Sequence, residues 1–412
     1  MVAQRRQDRK DLIGNTRLFL IRFLIGHAAI SFFCLTAGVF KVLCNRLHIM
    51  TRKMNPPLRY IADDERQHRP GPVPAPGATI RDVARLAGVS VATVSRYLNR
   101  TAFINPETAE RVEAAMRELV YVPSTSARNL AHNKTWTIGL LMESIAGDFF
   151  APLLMGIEAA AAEAGYGIFV ASTARSRGGP GQPPLGPQNC DGAILLPGSL
   201  PEEWMRRWYG AGFPMVSLYE EPPEGLRIPS VRIENTAAVR AAVLHLARVH
   251  GRRRIVFLLG QEGHCDSAER ERGYREALAE AGLPIDPALV LPGAYDAEVA
   301  AASIARLAAS GLRPGEGFDA VYAADDDSAF GALRALRSLG VEVPGRVSVM
   351  GFDDQRYAAL AEPPLSTVRA PTEASGRAAV ASLLALLEGR DPGRVLLPTE
   401  VLYRRSCGCG GA

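Results

Sequence analysis

The sequence predicts an α/β chain: a three-helix unit of helix-turn-helix type, then a two-lobed domain built on two doubly wound parallel sheets. Three observations predict it. IRDVARLAGVSVATVSRYLN (80–99) holds two short amphipathic runs hinged at a glycine. Further on, apolar runs such as IGLLM, GAILLP, RIVFLLG and VSVMG alternate with helical stretches, the pattern of parallel strands covered on both faces. Their number, over roughly 270 residues, suits two lobes better than one.

The first 78 residues read as an extension and linker. Phe23–Phe40, FLIGHAAISFFCLTAGVF, carries no formal charge and is near the lower length of a membrane span. Basic residues flank it on both sides, so its orientation signal is weak. Three readings stay open: a chain that truly starts at Met50 or Met54, a membrane anchor, or an export signal. Nothing downstream needs the segment, so no membrane partner is expected. RQHRPGPVPAPGA then reads as a linker.

In the first helix Ile80, Val83, Ala84 and Ala87 recur at i, i+3, i+4, i+7 and define one buried face. Gly88 supplies the turn, where a residue without Cβ can take positive φ. Ser90 is placed to cap the second helix, which buries Val91 in part and then Val94 and Leu98. A third helix after Asn105-Pro106 repeats the pattern with Val112, Ala115, Met116 and Leu119. Small residues at the turn let two helices cross steeply. Val91, Ala92, Ser95 and Arg96 then point away from the core. Arg96 suits a bidentate pair with guanine, and Val91 and Ala92 suit thymine methyls. Thr93, Ser95 and Asn99 are candidates for phosphate contacts.

Composition sets the remaining bounds. An apolar share of 47% and a charged share of 22% are ordinary for a soluble globular protein. The net charge of +4 is modest, so a nucleic-acid surface has to be argued from position. Six cysteines make no disulfide framework and fit a reducing, cytoplasmic setting. Cys407 and Cys409 form a C-x-C tail with no second ligand pair nearby, so neither a metal nor a cofactor is expected. No phosphate-binding loop, nucleophile elbow or H-E-x-x-H is present, and an enzyme is not expected. The run Asp325-Asp326-Asp327 reads as a strand end and helix start rather than a magnesium site. His264-Cys265-Asp266 reads as part of a ligand loop.

With these residues in hand, the chain resembles the lactose/galactose-repressor (LacI/GalR) family of bacterial transcription regulators. TIRDVARLAGVSVATVSRYLN is close to the family's DNA-reading signature, and VEAAMRELVYVP follows as its third helix does. The resemblance adds Thr79 to the DNA-contacting positions. It also makes ARNLA, Ala127 to Ala131, a hinge helix whose Leu130 would enter the minor groove, with Ala127 beside it. It implies that the larger domain is a periplasmic-binding-protein-like effector domain, with a sugar, or a nucleoside-like molecule, in the interlobe cleft against Phe149, Phe150, Arg270, Asp325 and Asp353. Strand C-termini are where open α/β sheets bind ligands.

Two departures from the family pattern stand out. SRGGPGQPPLGPQN (176–189) replaces a helix, and Asp325 stands where the family places Asn. The second adds a carboxylate to the cleft, which disfavours acidic effectors and suits polyols or cationic ones.

The expected organisation is thus a helix-turn-helix domain at 79–123, a hinge at 124–135 and an effector and dimerisation domain at 136–408. The expected function is that of a homodimeric repressor that binds a pseudo-palindromic operator on double-stranded DNA under control of a small-molecule effector. The alternative is a membrane-tethered or exported solute-binding receptor. A DNA reader placed between anchor and sensor argues against it.

Overall fold

A computed structural model describes residues 78–99, 102–122, 134–173 and 183–410. The segment Phe23–Phe40, the hinge positions Ala127 and Leu130, and residues 174–182 lie outside them. Among the described residues no helix is long and apolar enough to cross a membrane. These residues divide into a small helical unit and a large α/β unit.

The small unit contains α1 (Ile80–Ala87), the first turn of α2 (Val91–Asn99) and α3 (Pro106–Glu118). Its core is Val83, Ala84, Ala87, Val94, Val112 and Ala115, six of the positions that the helical spacing selects; Ile80, Leu98, Met116 and Leu119, selected with them, are half-buried. Burying Val94 completely contributes about 2 kcal/mol. Gly88 ends α1 in the left-handed region at φ 65°. An Arg111 guanidinium nitrogen from α3 donates to the carbonyls of Ala87 and Gly88, fastening the turn. Asn105 caps α3 through Glu107 N–H, with Pro106 at the first helical position.

The large unit carries twelve strands among the described residues. β1 (Thr137–Met142), β2 (Gly167–Ser172), β3 (Gly192–Leu195), β4 (Met215–Leu218), β5 (Ser230–Ile233) and β11 (Arg394–Leu397) form a parallel sheet in the order β11-β5-β4-β3-β1-β2. A second parallel sheet, β7-β6-β8-β9, joins β6 (Ile255–Leu259), β7 (Val290–Pro292), β8 (Ala320–Ala323) and β9 (Ser348–Met350). β10 (Thr367–Arg369) and β12 (Glu400–Leu402) pair antiparallel. Two doubly wound sheets are thus present, as the sequence predicts.

Both faces of the first sheet are apolar. In β1 the side chains of Ile138, Leu140 and Met142 enter one core and Leu141 another, the mark of a strand covered on both sides. On the first face, α4 (Phe150–Glu163) packs on α10 (Thr372–Leu387), which also runs over β3, β4 and β5. The other face carries α5 (Glu202–Gly210), whose Met205 and Trp208 reach the sheet. Residues 183–190 make turns rather than a helix. They still cover the sheet, because Leu185 is fully buried against Gly139 and Cys190. In the second lobe α6 (Thr236–Arg248) packs on α7 (Cys265–Glu280), and α8 (Ala297–Ala309) on α9 (Asp326–Ser338).

One expectation is corrected by the fold. The C-x-C tail does have a second pair of ligand side chains nearby. The end of α6 brings His245 and His250 to Cys407 and Cys409, across more than 150 residues of sequence.

Candidate functional site

The surface of α2 carries most of the positions singled out for DNA. Arg96 and Ala92 are exposed, and Thr93, Ser95 and Asn99 are half-buried. Val91 is 42% exposed rather than partly buried in the core. It is the first residue of α2, one turn ahead of Val94, and only Val94 enters the core. Ser90 Oγ accepts from Thr93 N–H at 3.1 Å, the expected cap, and lies 2.9 Å from Thr93 Oγ1. Asn99 Nδ2 donates to Ser95 Oγ at 3.3 Å. Thr79 locks the start of α1: its N–H and hydroxyl both donate to Asp82 Oδ2, at 3.0 and 2.7 Å. These bonds are local to the start of α1 and to α2, and the Arg96 side chain is exposed on α2.

In the large unit a cavity of about 290 Å³ opens at the carboxyl ends of both parallel sheets. Phe149, Phe150, Arg270, Asp325 and Asp353 all line it. The Phe149 ring meets Phe150 edge-on at 5.4 Å and Tyr219 at 5.7 Å, making an aromatic wall on the first lobe.

Arg270 supplies the opposing polar centre, and it is not a solvated helix arginine. It is 4% exposed. Nε donates to Asn235 Oδ1 at 2.8 Å and Nη1 to the Ala324 carbonyl at 2.5 Å. Phe352 lies under the guanidinium at 3.7 Å, a cation–π contact strengthened by burial. Asp353 and Asp266 stand 3.7 and 3.9 Å from Nη2.

Asp325 caps α9 by accepting from Ser328 N–H at 3.0 Å, which confirms the strand-end and helix-start reading of the three-aspartate run. Burial pushes its carboxyl up to about 6. Asp326 faces inward, accepting from Thr367 Oγ1 at 2.6 Å and from Gln355 N–H at 2.8 Å, and burial raises it to about 8. Burial, set against the nearby Arg270 charge, also holds Asp353 well above the ordinary carboxylate range. One guanidinium therefore faces several crowded carboxyls. Burial favours the neutral form of each of these carboxyls beside the cationic Arg270.

Tyr219, Tyr295 and Gln355 line the cavity and escape the sequence reading, whereas His264 and Asp266, read as part of a ligand loop, do line it. His264 and Asp266 are not in a loop. They begin α7, with His264 at its N-cap. Tyr219, Tyr295 and Asp353 adopt φ of 63°, 56° and 108°, a region unfavourable for side chains with a Cβ and tolerated where a site over-determines the backbone. Buried Asp353 Oδ1 and Gln355 Oε1 have no hydrogen-bond partner among the described residues. Both are acceptors that a ligand hydroxyl can reach.

Comparison with known proteins decides the family. A model described as bacterial regulatory proteins, lacI family, matches residues 79–124, and a periplasmic binding protein-like domain matches 243–407. The HTH-type transcriptional regulator CelR of Thermobifida fusca is 35% identical, over 83% of this chain and 99% of that protein. The chain belongs to the LacI family.

The repressor CytR of Escherichia coli K12, another LacI-family member, is 32% identical over 80% of this chain and 96% of its own. A structure of CelR in complex with cellobiose matches at TM-score 0.58 and 33% identity, covering 80% of this chain and 99% of that one. The Lac repressor dimer bound to operator and an anti-inducer matches at TM-score 0.68 and 26% identity, with the same coverage. This LacI-family chain is a DNA-binding transcriptional regulator with a periplasmic-binding-protein-like effector domain, not an enzyme.

Proposed function

We propose that the protein is a dimeric repressor that reads a pseudo-palindromic operator and responds to a neutral sugar or related polyol. The arrangement of Arg270 and Asp353 in the cavity carries the sugar reading. A buried guanidinium and a carboxyl oxygen without a partner among the described residues, beside an aromatic wall, match a ring with an apolar face and hydroxyl edges. The cellobiose complex of CelR supports the same class.

In this reading residues 79–123 form the DNA-reading domain, 124–135 the hinge and 136–408 the effector and dimerisation domain. Arg96 reads a base edge, Val91 and Ala92 touch thymine methyls, and Thr79, Thr93, Ser95 and Asn99 position the phosphates. Ala127 and Leu130 belong to a hinge helix whose leucine wedges the operator centre. Ligand contacts from both lobes bias lobe closure and so the population competent for DNA.

The experiment is selection of bound fragments from random duplex DNA at near-physiological salt. It is followed by release of the selected DNA with a panel of mono- and disaccharides, nucleosides and purine bases. One recovered pseudo-palindrome, released by a sugar, is the expected result. Binding without a shared motif would remove the operator reading; release by a purine alone would remove the sugar reading.

A further inference from the structure

A second site, remote in sequence from the cavity residues, lies where the C-terminal tail meets the end of α6. His245 Nε2 is 3.2 Å from Cys409 Sγ and 3.1 Å from His250 Nε2, and His250 Nε2 is 3.4 Å from Cys409 Sγ. Cys407 completes the set, and the four candidate ligand atoms all lie within 4.8 Å of one another. We propose that His245, His250, Cys407 and Cys409 bind one thiophilic metal ion, zinc by preference, in a closed tetrahedral site.

Hydrogen bonding alone does not account for the geometry. Three atoms in mutual contact subtend angles near those of a triangle, so their contacts cannot all be linear hydrogen bonds. An imidazole nitrogen that carries a proton also has no lone pair left to accept another. A central cation uses every lone pair at once. With bonds of about 2.0–2.1 Å to nitrogen and about 2.3 Å to sulfur, tetrahedral zinc sets N–N edges near 3.3 Å and N–S edges near 3.6 Å. The observed separations fall a few tenths of an ångström short of these, an opening that side-chain torsions supply.

The two arms are held independently of any ion. Ser348 Oγ donates to the Cys407 carbonyl at 2.7 Å, and Ser406 Oγ donates to the Val349 carbonyl at 2.7 Å, pinning the tail to β9. On the other arm the Tyr403 ring stacks on His245 at 3.9 Å. Gly408, at φ 113°, leaves room for the His250 ring, since a Cβ there would stand 2.9 Å from Nδ1. Cys407 is fully buried, whereas the other three are partly exposed and offer an entry path.

Two thiols and two imidazoles select zinc, or copper(I), over harder ions. Four protein ligands with no open position make the role structural. The ion would clamp the tail that follows β11 and β12 onto the end of α6, binding as the cysteine protons leave.

The test uses the tag-free full-length protein, stripped of metal under reducing conditions. Cobalt(II) is expected to give thiolate charge-transfer absorption and the intense visible bands of a tetrahedral ion. Zinc is expected to displace it at one equivalent per chain and to raise the melting temperature of the wild type. Cys409→Ser and His245→Asn should each weaken zinc binding at least a hundredfold. Cys190→Ser and the pair Cys34→Ser/Cys44→Ser should leave it unchanged. Absence of thiolate–cobalt absorption in the folded wild type, or equal zinc uptake by the Cys407→Ser/Cys409→Ser variant, overturns the site. Because the wild-type spectrum and melting shift need no variant, a misfolded mutant leaves the answer intact.

Discussion

Arg270 Nη2 and Asp353 Oδ1 are 3.7 Å apart in the cavity, close enough to attract and too far to hydrogen-bond. Arg270 is meanwhile held by Asn235 and the Ala324 carbonyl, so the guanidinium is fixed without Asp353. Asp353 sits at φ 108° with Oδ1 partnerless among the described residues. A ligand hydroxyl inserted here could accept from the arginine and donate to the aspartate. That geometry makes a site prepared to exchange an imperfect ion pair for two good hydrogen bonds.

Asp353→Asn keeps the shape and removes the buried carboxyl, whose ionisation burial opposes. The expected outcome is unchanged or slightly higher thermal stability with effector affinity at least tenfold weaker, read by calorimetric titration. Arg270→Ala should abolish the effector response while operator affinity is retained. It should also lower stability by about 3 kcal/mol, because the buried Asn235 side chain and Ala324 carbonyl lose their donor and Phe352 loses the packed guanidinium. If DNA release by the effector survives in Arg270→Ala, the cavity is not the effector site.

The sequence makes the cavity residues legible for a physical reason. Asp325 and Asp353 end apolar strands of a parallel sheet, and Arg270 lies one turn into a helix after another such strand. Tyr219 and Tyr295 are hidden because nothing in their neighbourhood announces a left-handed backbone at a bulky residue. The strands β5, β10 and β12 run three or four residues, too short for a periodicity to show. Leu185 escapes because a loop, not a helix, delivers it to the sheet. The histidine–cysteine cluster is invisible for a different reason: its two pairs meet only after the whole second lobe has folded between them.

Arg96→Ala addresses base reading. Its side chain is on the exposed face of α2, so the loss should be confined to DNA. The expected cost is about 1–3 kcal/mol in operator binding, with discrimination relaxed at one base position. Equal weakening on every sequence would assign Arg96 to a phosphate instead. Competition binding against single-base operator variants distinguishes the two.

Gly88→Ala acts on the same unit through the backbone. At φ 65° an alanine is strained, and its Cβ would stand 2.7 Å from an Arg111 guanidinium nitrogen. Arg111 can swing away, but it then abandons the Ala87 and Gly88 carbonyls. The expected result is a helical unit destabilised by about 1–2 kcal/mol, with weaker operator binding and effector affinity unchanged. Hydrogen exchange of the α1 and α2 amides checks it; unaltered protection would mean that the turn does not depend on the glycine.

Asp325→Asn tests the departure that sets this cleft apart from the family pattern. Burial raises the Asp325 carboxyl from 3.8 to about 6. Between those values the folded protein retains a proton that the unfolded chain has lost, so this group's contribution falls as pH rises through the window. The penalty is absent below about pH 4, complete above about pH 6, and about 3 kcal/mol. Asparagine carries no such penalty, and its side-chain oxygen can still accept from Ser328 N–H. The variant should therefore melt higher than wild type at pH 7.5, with the difference shrinking towards pH 4. Asp326 and Asp353 titrate in both proteins, which is why the difference between the two curves, not either curve alone, is diagnostic. A gain that is constant across pH 4–8 would mean that asparagine packs better, and that the carboxylate at 325 stays charged throughout.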